Sequence, residues 1–239
     1  NSGDYNWTET IMKNIPGNML GGVALHHYSV INWDKKGDAI DFSEERYFKT
    51  MQQALKMEEL VTKHSAIMDK YDPEKKTALI VDEWGGWYEV EKGTNSGFLY
   101  QQNTMRDAMI AGVTLNIFNQ HSERVRMANL AQTVNVLQAV ILTKGEKMLL
   151  TPTYHVLNLY KAHQDAKLIP LNIDSPNYSN KSENLKAVSA SASEKNGVTT
   201  ISLVNIDSKN TVETSIDLKN FKGKNFTAQI LESNKINDH

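Results

Sequence analysis

The sequence contains no cysteine. Disulfide bonds, thiolate catalysis and zinc or iron–sulfur sites held by cysteine are therefore excluded. Long apolar runs are also absent, since runs such as Ala139-Val140-Ile141-Leu142 are far too short to cross a bilayer. The formal net charge is only −2, and no basic run carries interleaved aromatic residues. We therefore expect neither nucleic acid nor a membrane as a partner.

The first residues, Asn1-Ser2-Gly3-Asp4, contain neither a methionine nor the apolar core of a signal peptide. Such a start is expected of a processed or truncated chain. The absence of cysteine does not fix the compartment, so the bacterial cytoplasm, the periplasm and secretion all stay open.

The pattern of the sequence changes near residue 165. Before this point, short apolar segments alternate with long helical patterns, which favours a parallel sheet or barrel. The patterns predict strands at 19–28, 77–81 and 113–118. They predict helices at about 100–111 and 124–141, and a long helix that begins after Ser43 and ends at Asp72-Pro73.

The second half is rich in serine, asparagine, lysine and threonine, with alternating apolar positions. Short strands are predicted in the segments VSASAS, VTTISLVNI, TVETSIDL and FTAQILE, and Asn196-Gly197 indicates a hairpin. A polar linker is expected over 174–183. The sequence thus predicts two domains, a β/α domain over 1–165 and an antiparallel β-sandwich over 166–239.

A pair of carboxylates follows the predicted strand at 77–81, in the segment Asp82-Glu83-Trp84-Gly85-Gly86-Trp87. In a β/α barrel, reactive residues lie at the carboxyl ends of the strands. A carboxylate can attack or stabilise an oxocarbenium-like centre, and indole rings can cover the apolar face of a sugar. The alternative is an Asp-Glu pair that caps a loop beside tryptophans that only pack.

Other polar residues follow the neighbouring predicted strands. His26 and His27 are adjacent on a strand and should point to opposite faces, which disfavours a shared metal ion. The hydroxyl of Tyr28 is a candidate donor to a nucleophilic carboxylate, although a structural role suits it equally. Three further polar residues are expected to have structural roles: Asn116, His121 and Arg124. Gln132 falls inside a predicted helix.

No nucleophile elbow, phosphate-binding loop or dinucleotide fingerprint is present. Glycoside hydrolysis is therefore the reaction that these residues favour. Four segments in this order, ALHHYS, LIVDEWGGWY, AGVTLNIFNQHSERVRMANLAQTVNVLQAVI and TPTYHVLNLY, resemble the α-L-arabinofuranosidases of glycoside hydrolase family 51. The resemblance runs from about residue 5 to the end of the chain.

This resemblance implies a (β/α)8 barrel followed by a C-terminal β-sandwich, and a retaining mechanism with two glutamates. It implies that Glu83 is the nucleophile and that Tyr28 contacts it. It further implies no cofactor or metal and substrate-binding roles for five residues, which are Tyr28, His26, Trp84, Trp87 and Gln132.

The sequence departs from the family in one respect. The family's acid/base glutamate follows an asparagine, and no Asn-Glu dipeptide occurs here. About three of eight barrel strands fit into the residues before the sandwich. We therefore expect a C-terminal portion whose partners are the N-terminal half of the barrel and an arabinofuranosyl-containing saccharide. Since family members are often hexamers, a homo-oligomer is also among the expected assemblies.

Two other classes of function stay open at this point. One is a carbohydrate-binding module without catalysis, although no tryptophan lies in the second half. The other is a purely structural fragment. Some relatives act on β-xylosides or β-glucans, so these substrates also remain alternatives.

Overall fold

The computed structural model describes residues 2–219, 223 and 225–239. The chain begins with helices and parallel strands and continues with antiparallel strands. The elements are α1 (Tyr5–Asn14), β1 (Gly22–Tyr28), α2 (Glu44–Tyr71), β2 (Ala78–Gly85), α3 (Met105–Gln120), β3 (Val125–Leu130), β4 (Ile141–Lys144), β5 (Lys147–Leu150), α4 (Pro152–Tyr160), β6 (Lys167–Ile169), β7 (Asn177–Asn180), β8 (Glu183–Lys186), β9 (Val188–Lys195) and β10 (Val198–Asn205).

The first sheet has three parallel strands in the order β1-β2-β3. Its two faces differ, as shown by β1, in which buried and half-buried residues alternate. Val23, Leu25 and His27 are buried on one side, which we call the helix face. Ala24, His26 and Tyr28 lie on the other side, which we call the open face. The carboxyl ends of the three strands meet at one edge of this sheet.

Strand β2 contains one residue more than the ladder requires. Ala24 pairs with Ile80, and His26 pairs with Glu83, so the one intervening residue of β1 lies opposite two residues of β2. The same extra residue appears against β3, where Val81 pairs with Ala128 and Trp84 with Leu130. The bulge therefore belongs to β2, near Asp82, and it changes which face the following side chains occupy.

The predicted helix after Ser43 is confirmed, since the Ser43 side chain accepts from Arg46 N and α2 ends before Asp72. Two other predictions are wrong. Residues 113–118 belong to α3 rather than to a strand, and 124–141 contains β3, loops and the start of β4 rather than a helix. Helix α3 begins at a capping box formed by Thr104 and Asp107.

The antiparallel part contains a three-stranded sheet in the order β10-β9-β6. The predicted hairpin is confirmed: Asn196 (φ 54°) and Gly197 (φ 79°) connect β9 to β10. The predicted polar linker at 174–183 instead contains β7 and the start of the β7–β8 hairpin. The strands predicted in TVETSIDL and FTAQILE are not observed among the described residues 211–218 and 226–232.

Polar side chains join α3 to the antiparallel sheet. Asn116 Nδ2 donates to Ser189 Oγ (3.2 Å), and Ser191 Oγ donates to Asn116 Oδ1 (2.8 Å). Asn119 and Gln120 donate to Ser191 Oγ and to the carbonyl of Ala190. These bonds fix the sheet against the helix that covers the parallel strands. Among the described residues, no helix has the length and apolar character of a membrane span.

Candidate active site

Glu83 lies near the carboxyl end of β2 with 48% of its side chain exposed. The hydroxyl of Tyr28, at the end of β1, donates a hydrogen bond of 2.8 Å to Glu83 Oε2. The contact follows from the parallel pairing, which brings the ends of neighbouring strands together. An exposed carboxylate is thus held by a phenol on the open face of the sheet.

The environment keeps the Tyr28 phenol protonated. Burial, and then the hydrogen bond to Glu83, raise the pKa of Tyr28 well above its ordinary value of about 10. Burial disfavours the phenolate because the charge loses its hydration, and Glu83 disfavours it because ionisation would place a second negative charge beside the carboxylate. Tyr28 is therefore a hydrogen-bond donor throughout the neutral pH range.

His26 stands between two carboxylates. Its Nε2 lies 2.8 Å from Asp82 Oδ1, and its Nδ1 lies 3.6 Å from Glu83 Oε2. The neighbouring His27 points to the helix face, where its Nε2 lies 2.7 Å from the carbonyl oxygen of Gln53. The prediction that the two histidines face opposite sides is confirmed. Burial lowers the pKa of His27, and the imidazole therefore stays neutral in its packed position.

Two tryptophans form an aromatic cluster with Tyr28. The ring of Trp87 lies 5.0 Å from that of Tyr28, edge to face, and 5.5 Å from that of Trp33. Trp33 is 55% exposed. Sequence reasoning missed Trp33, although its position five residues after the end of β1 was the available signal. The cluster offers indole surface beside Glu83, as expected of a site for a sugar ring.

Trp84 lies elsewhere, which corrects its expected place in a sugar pocket. Only 1% of Trp84 is exposed. Its ring packs edge to face against Phe118 of α3 at 5.5 Å, on the helix face. The bulge in β2 is the physical reason, because it places Glu83 on the open face and the next residue among the helices.

Gln132 is exposed and lies two residues after the end of β3. Its predicted place in a helix is wrong, because the chain here runs through a loop that begins with a cis Ala131–Gln132 peptide bond. The backbone N–H of Ala131 donates to the carbonyl of Trp84 (3.0 Å), so this loop starts beside the end of β2. Gln132 therefore lies at the same edge of the sheet as Glu83.

Buried amides hold the loop that carries Trp87. Gln138 Oε1 accepts from Gly86 N (2.7 Å), and Gln138 Nε2 donates to the carbonyl of Asp107 (2.8 Å). Gln101 Oε1 accepts from Tyr88 N (2.8 Å). These bonds connect the loop to α3 and to the segment after β3, so the position of Trp87 is set by buried polar groups.

The structural roles predicted for three polar residues are confirmed by their contacts. Asn116 joins α3 to β9, as described above. His121 Nε2 lies 2.7 Å from Glu58 Oε1, and this contact lowers the pKa of the Glu58 carboxyl. Arg124 is buried and donates to Asp72 Oδ2 and to the carbonyl of Thr77.

Within 2–219, 223 and 225–239, no group of three or more histidine or carboxylate side chains is arranged to hold a metal ion. The arrangement on the open face is instead suited to acid–base and nucleophilic chemistry. It comprises one exposed carboxylate, a phenol that donates to it, an imidazole paired with a second carboxylate, and an aromatic wall.

The sequence profile of the α-L-arabinofuranosidase C-terminal domain matches residues 82–239. An intracellular exo-α-L-arabinofuranosidase of Bacteroides ovatus is 44% identical over 239 residues, which are 99% of this chain and 46% of that protein. The chain thus spans about half the length of the curated relatives it matches.

Solved structures show the same similarity. The GH51 arabinofuranosidase from Xanthomonas axonopodis pv. citri is 51% identical and superimposes with a TM-score of 0.83 over 86% of this chain and 42% of that one. An α-L-arabinofuranosidase from Thermotoga maritima, solved as an arabinose complex, is 21% identical with a TM-score of 0.67 over 86% of this chain and 42% of that one. The second likeness concerns the fold alone.

Proposed function

Because this chain belongs to the family of α-L-arabinofuranosidase C-terminal domains, we propose that it forms part of a retaining glycoside hydrolase. The enzyme releases terminal non-reducing α-L-arabinofuranosyl residues from oligosaccharides and polysaccharides. One observation carries the proposal: the exposed Glu83 carboxylate accepts from Tyr28 at 2.8 Å beside the Trp33–Trp87 wall.

Glu83 is the nucleophile of a double displacement. Among the described residues, the polar contacts of the carboxylate come from Tyr28 and His26 and fall on Oε2, so we assign the attack on the anomeric carbon to Oε1. The bond to the leaving oxygen breaks as that oxygen takes a proton from a second carboxyl group. Water then cleaves the glycosyl ester, with the second carboxylate as base, and the configuration is retained.

The second carboxyl group must lie about 5 Å from Glu83. We assign it to a part of the protein outside these 239 residues, since the curated relatives are about twice as long as the matched region. In this proposal, residues 1–165 supply three strands of a (β/α)8 barrel whose open face is the barrel interior. The three-stranded parallel sheet, with Glu83 and Tyr28 at its carboxyl edge, supports this view.

Residues 166–239 would then belong to a β-sandwich that is completed by further strands. Several apolar side chains after β10 support this view because they are exposed: Ile216 (47%), Leu218 (41%), Phe226 (86%) and Ile230 (79%). They alternate with polar residues, as expected of strands with one covered face. The partners of the chain are accordingly the rest of the barrel and sandwich and an arabinofuranosyl saccharide.

The test is release of the aryl group from 4-nitrophenyl α-L-arabinofuranoside by the longest form of the protein that its gene encodes. Glu83→Gln should lower kcat by about 10⁴-fold or more, because the attacking oxygen is lost. Glu213→Gln makes the same chemical change at an exposed position after β10 and should leave the rate unchanged. Full activity of Glu83→Gln would refute the assignment of the nucleophile.

A further inference from the structure

Asp82 has no assigned role, yet the structure places it against the site. The bulge in β2 turns both Asp82 and Glu83 towards His26, although consecutive side chains of a regular strand point to opposite faces. Asp82 Oδ1 is shielded from solvent and makes no aligned hydrogen bond among the described residues. His26 Nε2 lies 2.8 Å from this oxygen, which is within hydrogen-bonding distance.

We propose that Asp82 is a positioning residue, which holds the imidazole of His26 so that Nδ1 faces Oε2 of the nucleophile Glu83. The proposal rests on the function proposed above. Each ring nitrogen of His26 lies near a carboxylate, with Nε2 2.8 Å from Asp82 Oδ1 and Nδ1 3.6 Å from Glu83 Oε2. His26 and Tyr28 then fix Oε2 from two directions and leave Oε1 free to attack.

The bulge distinguishes this arrangement from an ordinary surface ion pair. Bulges are frequent beside active sites, where they redirect a side chain. Here the extra residue is the one whose carboxylate reaches the histidine next to the nucleophile. The side chains of His26 and Asp82 are 40% and 38% exposed, but the contacting oxygen of Asp82 is itself shielded from solvent. The pair His26–Asp82 starts a chain of contacts that ends on Glu83.

The first test is a double-mutant cycle with Asp82→Asn, His26→Gln and the double variant, in the longest form of the protein that its gene encodes. The substrate is 2,4-dinitrophenyl α-L-arabinofuranoside, whose leaving group needs no protonation, so attack by Glu83 is observed. Asp165→Asn is the matched control because its side chain is 94% exposed and remote from β2.

Asp82→Asn should lower kcat by about tenfold or more with KM changed less than about threefold, because attack geometry rather than binding is affected. The double variant should be no slower than His26→Gln, since Asp82 acts only through the imidazole. The proposal would be overturned if the fold-decreases in kcat of the two single variants multiply in the double variant. A change confined to KM would overturn it as well.

A second measurement is independent of turnover. In protein labelled with ¹⁵N-histidine, Asp82→Asn should shift the ring nitrogen signals of His26, and Asp165→Asn should not. Unchanged signals would refute the contact itself. If these signals shift but the unsubstituted protein releases no aryl group, or if Glu83→Gln keeps full activity, the proposed function has failed rather than the contact.

Discussion

The hydroxyl of Tyr28 shows how one atom connects burial to reactivity. The phenol is partly removed from water and bonded to a carboxylate, and both effects raise its pKa. The proton therefore stays on Tyr28 through neutral and mildly alkaline pH, and the phenol remains a donor to Oε2 over that range. Ionisation of Tyr28 should therefore cause no loss of activity in mildly alkaline solution.

Replacing Tyr28 by phenylalanine removes this single donor. We expect Tyr28→Phe to lower kcat by about 10- to 100-fold with a small change in KM, because one hydrogen bond that orients a charged group is worth about 1.5–3 kcal/mol. Aryl release and thermal unfolding are measured together. Tyr71→Phe is the matched control, since Tyr71 donates to Glu9 Oε1 at 3.1 Å far from the site. Equal kinetic effects in the two variants would contradict the role of Tyr28.

The contact of Tyr28 with Glu83 could be anticipated from the sequence, because side chains at the ends of neighbouring parallel strands meet at one edge. The place of Trp84 could not. Counted from Ile80 on the open face, simple alternation along β2 would put Asp82 and Trp84 on the open face and Glu83 on the helix face. The sequence does not indicate the bulge after Val81, which exchanges the faces of Glu83 and Trp84.

Among the elements, α2, β2 and β3 are joined at their ends by one guanidinium group. Arg124 is 3% exposed and donates to Asp72 Oδ2 (2.8 Å) and to the carbonyl of Thr77 (2.9 Å). It also pairs with Asp69. This residue lies at the amino ends of the strands, opposite the candidate site, so it supports the fold without touching the chemistry.

Arg124→Met should lower the free energy of unfolding by about 3 kcal/mol, because two carboxylates and two backbone carbonyls lose a buried partner. Urea denaturation measures this change. Arg126→Met is the comparison: its guanidinium donates only to the exposed carbonyls of Lys75 and Lys76, and a loss below about 1 kcal/mol is expected. Similar losses in both variants would show that burial of Arg124 is unimportant.

A helical glycine of α3 is required by a close approach to β10. A Cβ added at Gly112 would lie 2.8 Å from Val204 Cγ2. Glycine to alanine ordinarily stabilises a helix by about 1 kcal/mol. We expect Gly112→Ala to destabilise the protein instead, by about 1–3 kcal/mol in urea denaturation. Adding Val204→Ala should recover part of the lost stability. If the losses of the two single variants simply add in the double variant, the clash is contradicted.

The helix that contains Gly112 also explains why its prediction failed. Helix α3 is covered by the parallel sheet on one side and by β9 and β10 on another, and 12 of its 16 residues are buried. A helix buried on most sides shows no 3.6-residue period, and 113–118 then resembles a buried strand. Strand β3 is largely exposed, with Met127 at 54%, so its letters lack the apolar run of a central strand.

For the whole molecule, buried titratable groups set limits on both sides of neutral pH. Burial lowers the pKa values of His27, His64 and His163. Burial raises that of Tyr178 to about 12 and those of Tyr47 and Tyr160 further. The folded protein therefore keeps these histidines and tyrosines uncharged over a wider pH range than the unfolded chain does.

Stability should be greatest between about pH 7 and 10. Below about pH 6.5 the unfolded histidines bind protons that the folded ones refuse, so the free energy of unfolding falls as the pH drops. Above about pH 10 the unfolded tyrosines lose protons that the folded ones retain, so it falls again. Urea denaturation at about pH 5, 8 and 11 should give its highest midpoint concentration at about pH 8. A flat profile would contradict this prediction.

The extra residue of β2 also determines which changes of length the protein tolerates. An ordinary strand inverts every side chain beyond a one-residue insertion or deletion. Since β2 already contains a surplus residue, loss of Asp82 would restore a regular ladder with Glu83 and Trp84 on their present faces. If one residue were inserted and paired as a regular strand residue, the side chain of Glu83 would move to the helix face. Deletion of residue 82 would therefore keep Glu83 on the open face although the contact of Asp82 with His26 is lost, whereas an insertion would move Glu83 to the other face.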